Sequence, residues 1–152
     1  MRKGIVVRLY PNNEQKELLN KMFGCVRKVY NYFLDYASEN KVYNYNIWSK
    51  LLTELKNSND YSYLKECDKF GLQNSLKNLK SAFNNFFNKR SKYPSFKSRR
   101  NQCDSYRTNY TNNNIDLLDK HIKLPKLGLV KCKYNKELDN VKIINVTIKK
   151  NG

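Results

Sequence analysis

The sequence predicts an α+β fold in which a three-helix block is inserted into a small β-sheet or barrel. Three observations predict it. Apolar residues alternate with polar ones near the start of the chain and again after Pro94, which is the period of a half-buried strand. Between these regions they recur at helical spacing in three successive segments. A lone N-terminal strand has no stability of its own, so it is expected to pair with the C-terminal strands across the helices.

Each element follows in order. In GIVVRLYP, Ile5, Val7 and Leu9 alternate with Val6, Arg8 and Tyr10, and Pro11 stops the strand. Asn12 and Gln15 then have the spacing of a capping box. They open a long helix whose stripe is Leu18, Leu19, Met22, Phe23, Val26, Val29, Tyr30, Phe33 and Leu34. Gly24 interrupts it, as a close approach or a kink. A shorter helix over 46–57 carries Ile47, Leu51, Leu52 and Leu55 on one face, and SNDYSY after it reads as a turn. Asp68 is placed to cap a third helix with Leu72, Leu76, Leu79, Phe83, Phe86 and Phe87 on its stripe. Gly71 lies near its first turn, where a glycine costs little. After Pro94, HIKLP, LVKCK and KIINVTIKK alternate as strands. The final Asn151-Gly152 is a hairpin signal with no strand after it. The chain is therefore expected to stop in mid-fold, leaving 141–150 as an open edge.

Charge narrows the function. The net charge is +17 with 30 Lys and Arg against 13 Asp and Glu, far more than solubility needs, and it points to a polyanionic partner. Codon bias toward Lys and Asn accounts for part of the lysine excess but not for clustered arginines. The cluster is Lys89–Thr108, KRSKYPSFKSRRNQCDSYRT, in which Asp104 is the one acid. Lys and Arg there suit phosphates; Tyr93 and Phe96 read as anchors on the core more readily than as stacking rings. Cys25, Cys67, Cys103 and Cys132 show no C-x-x-C spacing, so neither zinc nor a disulfide framework is expected. No secretory or membrane-spanning stretch stands out, so a cytoplasmic location, no membrane partner and no cofactor are expected.

VVRLYP, FGCVRKVYNYFL, DKFGLQNSLKNLKSAFNNFF, YPSFKSRR, SYRTNYTNNNI and KLPKLGLVK occur in that order. Together they resemble the N-terminal part of the TnpB family, transposon-encoded RNA-guided DNA endonucleases related to compact type V CRISPR effectors. The same region is catalogued as a helix-turn-helix domain of transposase accessory proteins. The resemblance implies a WED-like barrel of oligonucleotide-binding shape over 1–11 and 91–152, split by a helical REC-like insertion over 12–90. It implies guide RNA and double-stranded DNA as partners. The family's RuvC-like nuclease, with its catalytic acids and zinc finger, has no counterpart in these residues, so binding without catalysis is expected. A non-functional remnant, or half of a split nuclease partnered by a separate polypeptide, are the alternatives.

The residue expectations divide accordingly. Lys69 and Gln73 share a helix face and suit guanine and adenine edges. By resemblance, that helix reads a short motif flanking the target, with Tyr45 and Thr111 approaching the same duplex. Lys89, Arg90, Lys92, Lys97, Arg99, Arg100 and Arg107 are expected on phosphates, as are Arg27 and Lys28 off the first helix stripe and Arg8 from the first strand. His121 lacks an obvious partner, and Asp116 and Asp119 read as turn caps, so no catalytic or metal-binding set is assigned.

Overall fold

Strand β1 (Arg8–Tyr10) gives way at Pro11 to helix α1 (Asn13–Asn40). The structure, a computed structural model, describes residues 4–99, 104–135 and 142–150. The expected capping box forms: Gln15 N donates to Asn12 Oδ1 at 2.8 Å and Asn12 N to Gln15 Oε1 at 2.9 Å. Gln15 does more than cap. Its Nε2 donates to the carbonyls of Leu129 at 2.7 Å and Leu127 at 3.3 Å, tying the start of α1 to the sheet.

Helix α2 (Tyr45–Lys56), a 3-10 helix (Ser62–Glu66) and α3 (Lys69–Phe87) follow. The apolar stripes predicted for α1 and α3 face one another. Val29, Phe33, Trp48, Leu64, Leu72, Leu76, Leu79 and Phe83 are fully buried between the helices, each such burial being worth about 1.5–3 kcal/mol. Ser75 Oγ donates to Val26 O at 2.9 Å, closing α1 on α3 through a buried hydroxyl. At Gly24 an added Cβ would meet only the flexible end of Arg27, at 3.8 Å, so no close approach explains that glycine.

The strands are β2 (Ser105–Asn109), β3 (Asp116–Leu117), β4 (His121–Leu124), β5 (Gly128–Lys133) and β6 (Asn145–Lys149). As expected, β1 pairs across the helices, antiparallel to β5. The expected single barrel is corrected: the described strands form two antiparallel sheets, β1-β5-β4-β3 and β2-β6, with no closed barrel among the described residues. The cause is local. Strand β2 turns Tyr106 and Thr108 inward, and that face packs on α1 and α3. Tyr106 meets Phe23 edge-on at 5.6 Å, and Asn74 Nδ2 donates to Arg107 O at 2.8 Å. Gly71 is the close approach that the sequence did not flag: a Cβ there would stand 3.1 Å from Tyr106 Cδ2.

The C-terminal strand is shorter than KIINVTIKK suggested. It pairs with β2 over its whole length, from Asn109↔Asn145 to Ser105↔Lys149, and in this two-stranded sheet its other side has no neighbouring strand among the described residues. Val141 and the Asn151-Gly152 signal lie outside the described residues. Among the described residues no helix is long and apolar enough to cross a membrane.

Candidate nucleic-acid interface

Helix α3 begins where Asp68 Oδ1 accepts from Phe70 N at 3.0 Å. Asp68 is buried, and its Oδ2 has no partner among the described residues. Around this helix start lies an open cleft of about 520 Å³. Lys56, Lys65, Lys69 and Lys126 line it, together with Thr111, Asn112 and Asn114. The loop is built by its asparagines. Thr111 N donates to Asn114 Oδ1 at 2.7 Å, Asn114 Nδ2 donates to Asn109 O at 2.9 Å, and Asn112 and Asn113 take positive φ of 49° and 59°. Burial, and next the charge of Lys69, hold the Lys56 ammonium below its usual pKa. Four cations facing one buried acid make a cleft suited to an anion.

Along α3 from this cleft, Lys69, Gln73 and Lys77 succeed one another every four residues, about 12 Å in all. Lys69 is exposed and Gln73 half-buried. Lys77 Nζ stands 5.7 Å from the centre of the Tyr45 ring at the start of α2. The structure thus brings Thr111, Lys69, Gln73 and Tyr45 to one edge of the helical block, through the cleft at one end and the Lys77–Tyr45 contact at the other.

The basic connector is clamped to α1. Asn31 Nδ2 donates to Lys97 O at 2.8 Å, and Lys97 N donates to Asn31 Oδ1 at 2.7 Å. Lys97 itself folds over the Tyr30 ring, Nζ to centroid 4.2 Å, and burial lowers its pKa. Tyr93 is anchored as expected, edge-on to Phe83 and Phe86 at 5.5 and 5.0 Å, with its hydroxyl 2.5 Å from Ser38 Oγ. Phe96 is not anchored in that way: 61% of it is exposed.

The remaining cations separate into occupied and outward-facing groups. Arg27 makes an ion pair with Asp104, both side chains mostly buried, so its charge is met inside the fold. Lys28 is exposed, 5.7 Å from the Tyr61 ring centre. Lys89, Arg90, Lys92, Arg99 and Arg107 are exposed; Arg100, like Cys103, lies outside the described residues. Arg8 lies on the solvent face of β1, 5.8 Å from the Tyr10 ring centre and directly opposite Lys133, with Tyr10 opposite Lys131. Like charges paired across strands destabilise a sheet, so this face also favours an anion.

Sequence reading missed Lys56, Lys65 and Lys126 in the cleft and Lys131 and Lys133 beside Arg8. The alternation of LVKCK already placed Lys131 and Lys133 on a solvent face. The cleft lysines come from three separate segments and carry no shared local signal. Cys67, also at the cleft, is buried beside Cys25, and that neighbouring thiol together with burial raises the Cys67 pKa.

Residues 1–43 match a helix-turn-helix domain family, HTH_OrfB_IS605. That span contains β1 and α1, and α2 begins just beyond it. A protein of Streptomyces pristinaespiralis named as an RNA-guided DNA endonuclease is 43% identical over 99 residues, which is 61% of this chain and 24% of that protein. The RNA-guided DNA endonuclease InsQ of Escherichia coli K12, so named, is 34% identical over 146 residues, 92% of this chain and 35% of that protein. The chain therefore spans about a quarter to a third of the length of these relatives.

Proposed function

We propose that this chain, a TnpB-family N-terminal region, is a nucleic-acid-binding unit that holds guide RNA and reads a short double-stranded DNA motif beside the target. The observation that carries the reading is the edge joining Thr111, Lys69, Gln73 and Tyr45 to a cleft lined by four lysines. Cations in the cleft and on the connector take phosphates and set position. Gln73 and Lys69, projecting from one helix face, take base edges in a major groove and set sequence. Residues 12–90 act as a REC-like insertion and residues 1–11 with 91–152 as a WED-like scaffold; the β1–β5 pairing across the helices supports that division. The role is recognition, within the RNA-guided DNA cleavage that the relatives' names carry.

The test is selection from a randomised duplex pool, with and without co-expressed RNA. A short motif should be enriched. Gln73→Ala should relax one base position by roughly 1–3 kcal/mol of discrimination and leave affinity for unrelated DNA nearly unchanged. If no motif emerges in either condition, sequence-specific reading is refuted and only general polyanion binding remains.

A further inference from the structure

At the far end of α3 from the lysine cleft, about 27 Å away along 19 helical residues, six rings form one connected cluster. Trp48 and Phe83 are its buried base. Tyr43, Phe86, Phe87 and Tyr93 surround Phe83 with centroids 4.9–6.1 Å apart. The outer rings are incompletely covered: Phe87 is 50% and Tyr93 43% exposed, and Phe96 follows at 61%. Tyr93 and Phe96 are three residues apart, which limits their Cα separation to about 10 Å.

The charge around these rings has one sign along the chain. From Lys69 to Cys103 there are nine Lys and Arg residues and no Asp or Glu. Lys89, Arg90 and Lys92 directly follow the helix and are exposed. An apolar protein partner covering the rings would strand these cations against a dry surface, at a cost. A nucleic-acid duplex would meet the cations but offer the rings no base faces, since its bases are stacked inside. An unpaired strand meets both, with phosphates on the lysines and base faces on the rings.

We infer that Phe87 and Phe96, framed by Lys89, Arg90 and Lys92, form a stacking platform for unpaired bases of single-stranded RNA. The inference takes its RNA partner from the reading above but needs no duplex motif, so the two can fail separately. Phe87 supplies a ring rigidly backed by Phe83 and Tyr43. Phe96 supplies one on the connector, whose path is held by the Asn31 clamp at Lys97.

The experiment uses the whole chain and fluorescein-labelled 12-nucleotide probes: an unstructured RNA, the same sequence as single-stranded DNA, and a DNA duplex. Phe87→Ala and Phe96→Ala should each weaken RNA binding about tenfold, within the range for one stacked base. Phe87→Tyr and Phe96→Tyr should restore it to within about twofold, and duplex affinity should stay within about twofold throughout. Melting curves accompany each variant. Unchanged RNA affinity in both alanine variants overturns the inference, as does equal loss on RNA and duplex. A loss confined to Phe87→Ala with a lowered melting temperature also overturns it, because Phe96, largely exposed, then contributes nothing. Single-stranded DNA binding as tightly as RNA, with the same losses, refutes RNA as the occupant.

Discussion

The structure separates connector cations that face solvent from one that does not, and counterion release can measure the difference. Lys92, Arg99 and Arg107 are exposed, whereas Lys97 is folded onto Tyr30 with Nζ 4.2 Å from the ring centre. Each phosphate neutralised on B-DNA contributes about 0.9 to the slope of log affinity against log salt. Replacing Lys92, Arg99 and Arg107 together by Ala should therefore flatten the slope by up to about 2.7. Between 50 and 200 mM salt the parent chain should then lose roughly 40-fold more affinity than the triple variant. Lys97→Met keeps the length of the side chain and removes the same formal charge, yet should leave the slope within about 0.3 of the parent value. The assay is fluorescence anisotropy of a labelled 16-base-pair duplex across that salt range. A slope flattened by about 0.9 in Lys97→Met would refute the division between buried and available cations, and so would an unchanged slope in the triple variant.

Two further outcomes test the fold and the cleft. Gly71→Ala should destabilise by about 1 kcal/mol in urea unfolding, because overpacking against Tyr106, 3.1 Å away and fixed by Phe23, outweighs the helix-propensity gain; a more stable variant would show that the ring yields. Lys56→Met should raise stability by a small margin, limited by solvent screening of a half-buried group and by the opposing pull of Asp68, while weakening polyanion binding, since burial and the charges of Lys69 and Lys126 disfavour the ammonium. The Lys56 pKa is lower folded than unfolded, so its penalty is full below the folded value and fades as pH rises toward 10.5. The stability advantage of Lys56→Met should shrink over that rise, and a constant advantage would point to packing instead.

The helices were legible because their signals are local and periodic. The Asn12–Gln15 box, the Asp68 cap and the α1 and α3 stripes all sit where the spacing put them. The return of β1 to the C-terminal strands was legible from the instability of a lone strand. The split into two sheets was not, because β2 buries Tyr106 and the hydroxyl-bearing Thr108, a pair that alternation of apolar residues does not flag. The Asn31 clamp spans 66 residues and the Gln15 tie to β5 spans 114; a side-chain amide bonding a distant backbone leaves no local pattern. Arg27 and Lys97 show the same limit from the other side. Both read as surface cations, and only the fold reveals Asp104 beside one and Tyr30 beneath the other.

The lysines also bear on whether the charge is compositional drift or a maintained surface. Drift places Lys where it costs nothing, on solvated helix faces. Here Lys41, Lys89 and Lys126 hold positive φ of 54°, 60° and 69°, a region that costs an ordinary side chain about 1–2 kcal/mol. Asn is tolerated better there, and a codon bias toward Lys supplies Asn just as readily. Asn112 and Asn113 show this chain using Asn in that conformation. Lys126 lines the cleft and Lys89 borders the exposed rings of α3. Arg8 faces Lys133 across a strand pair and Lys56 is half-buried among like charges, two further arrangements that disfavour the isolated fold. A bound anion would offset the cost of charges at such positions, and under the proposed function the cleft, the connector and the outer face of β1–β5 are the places where it would do so.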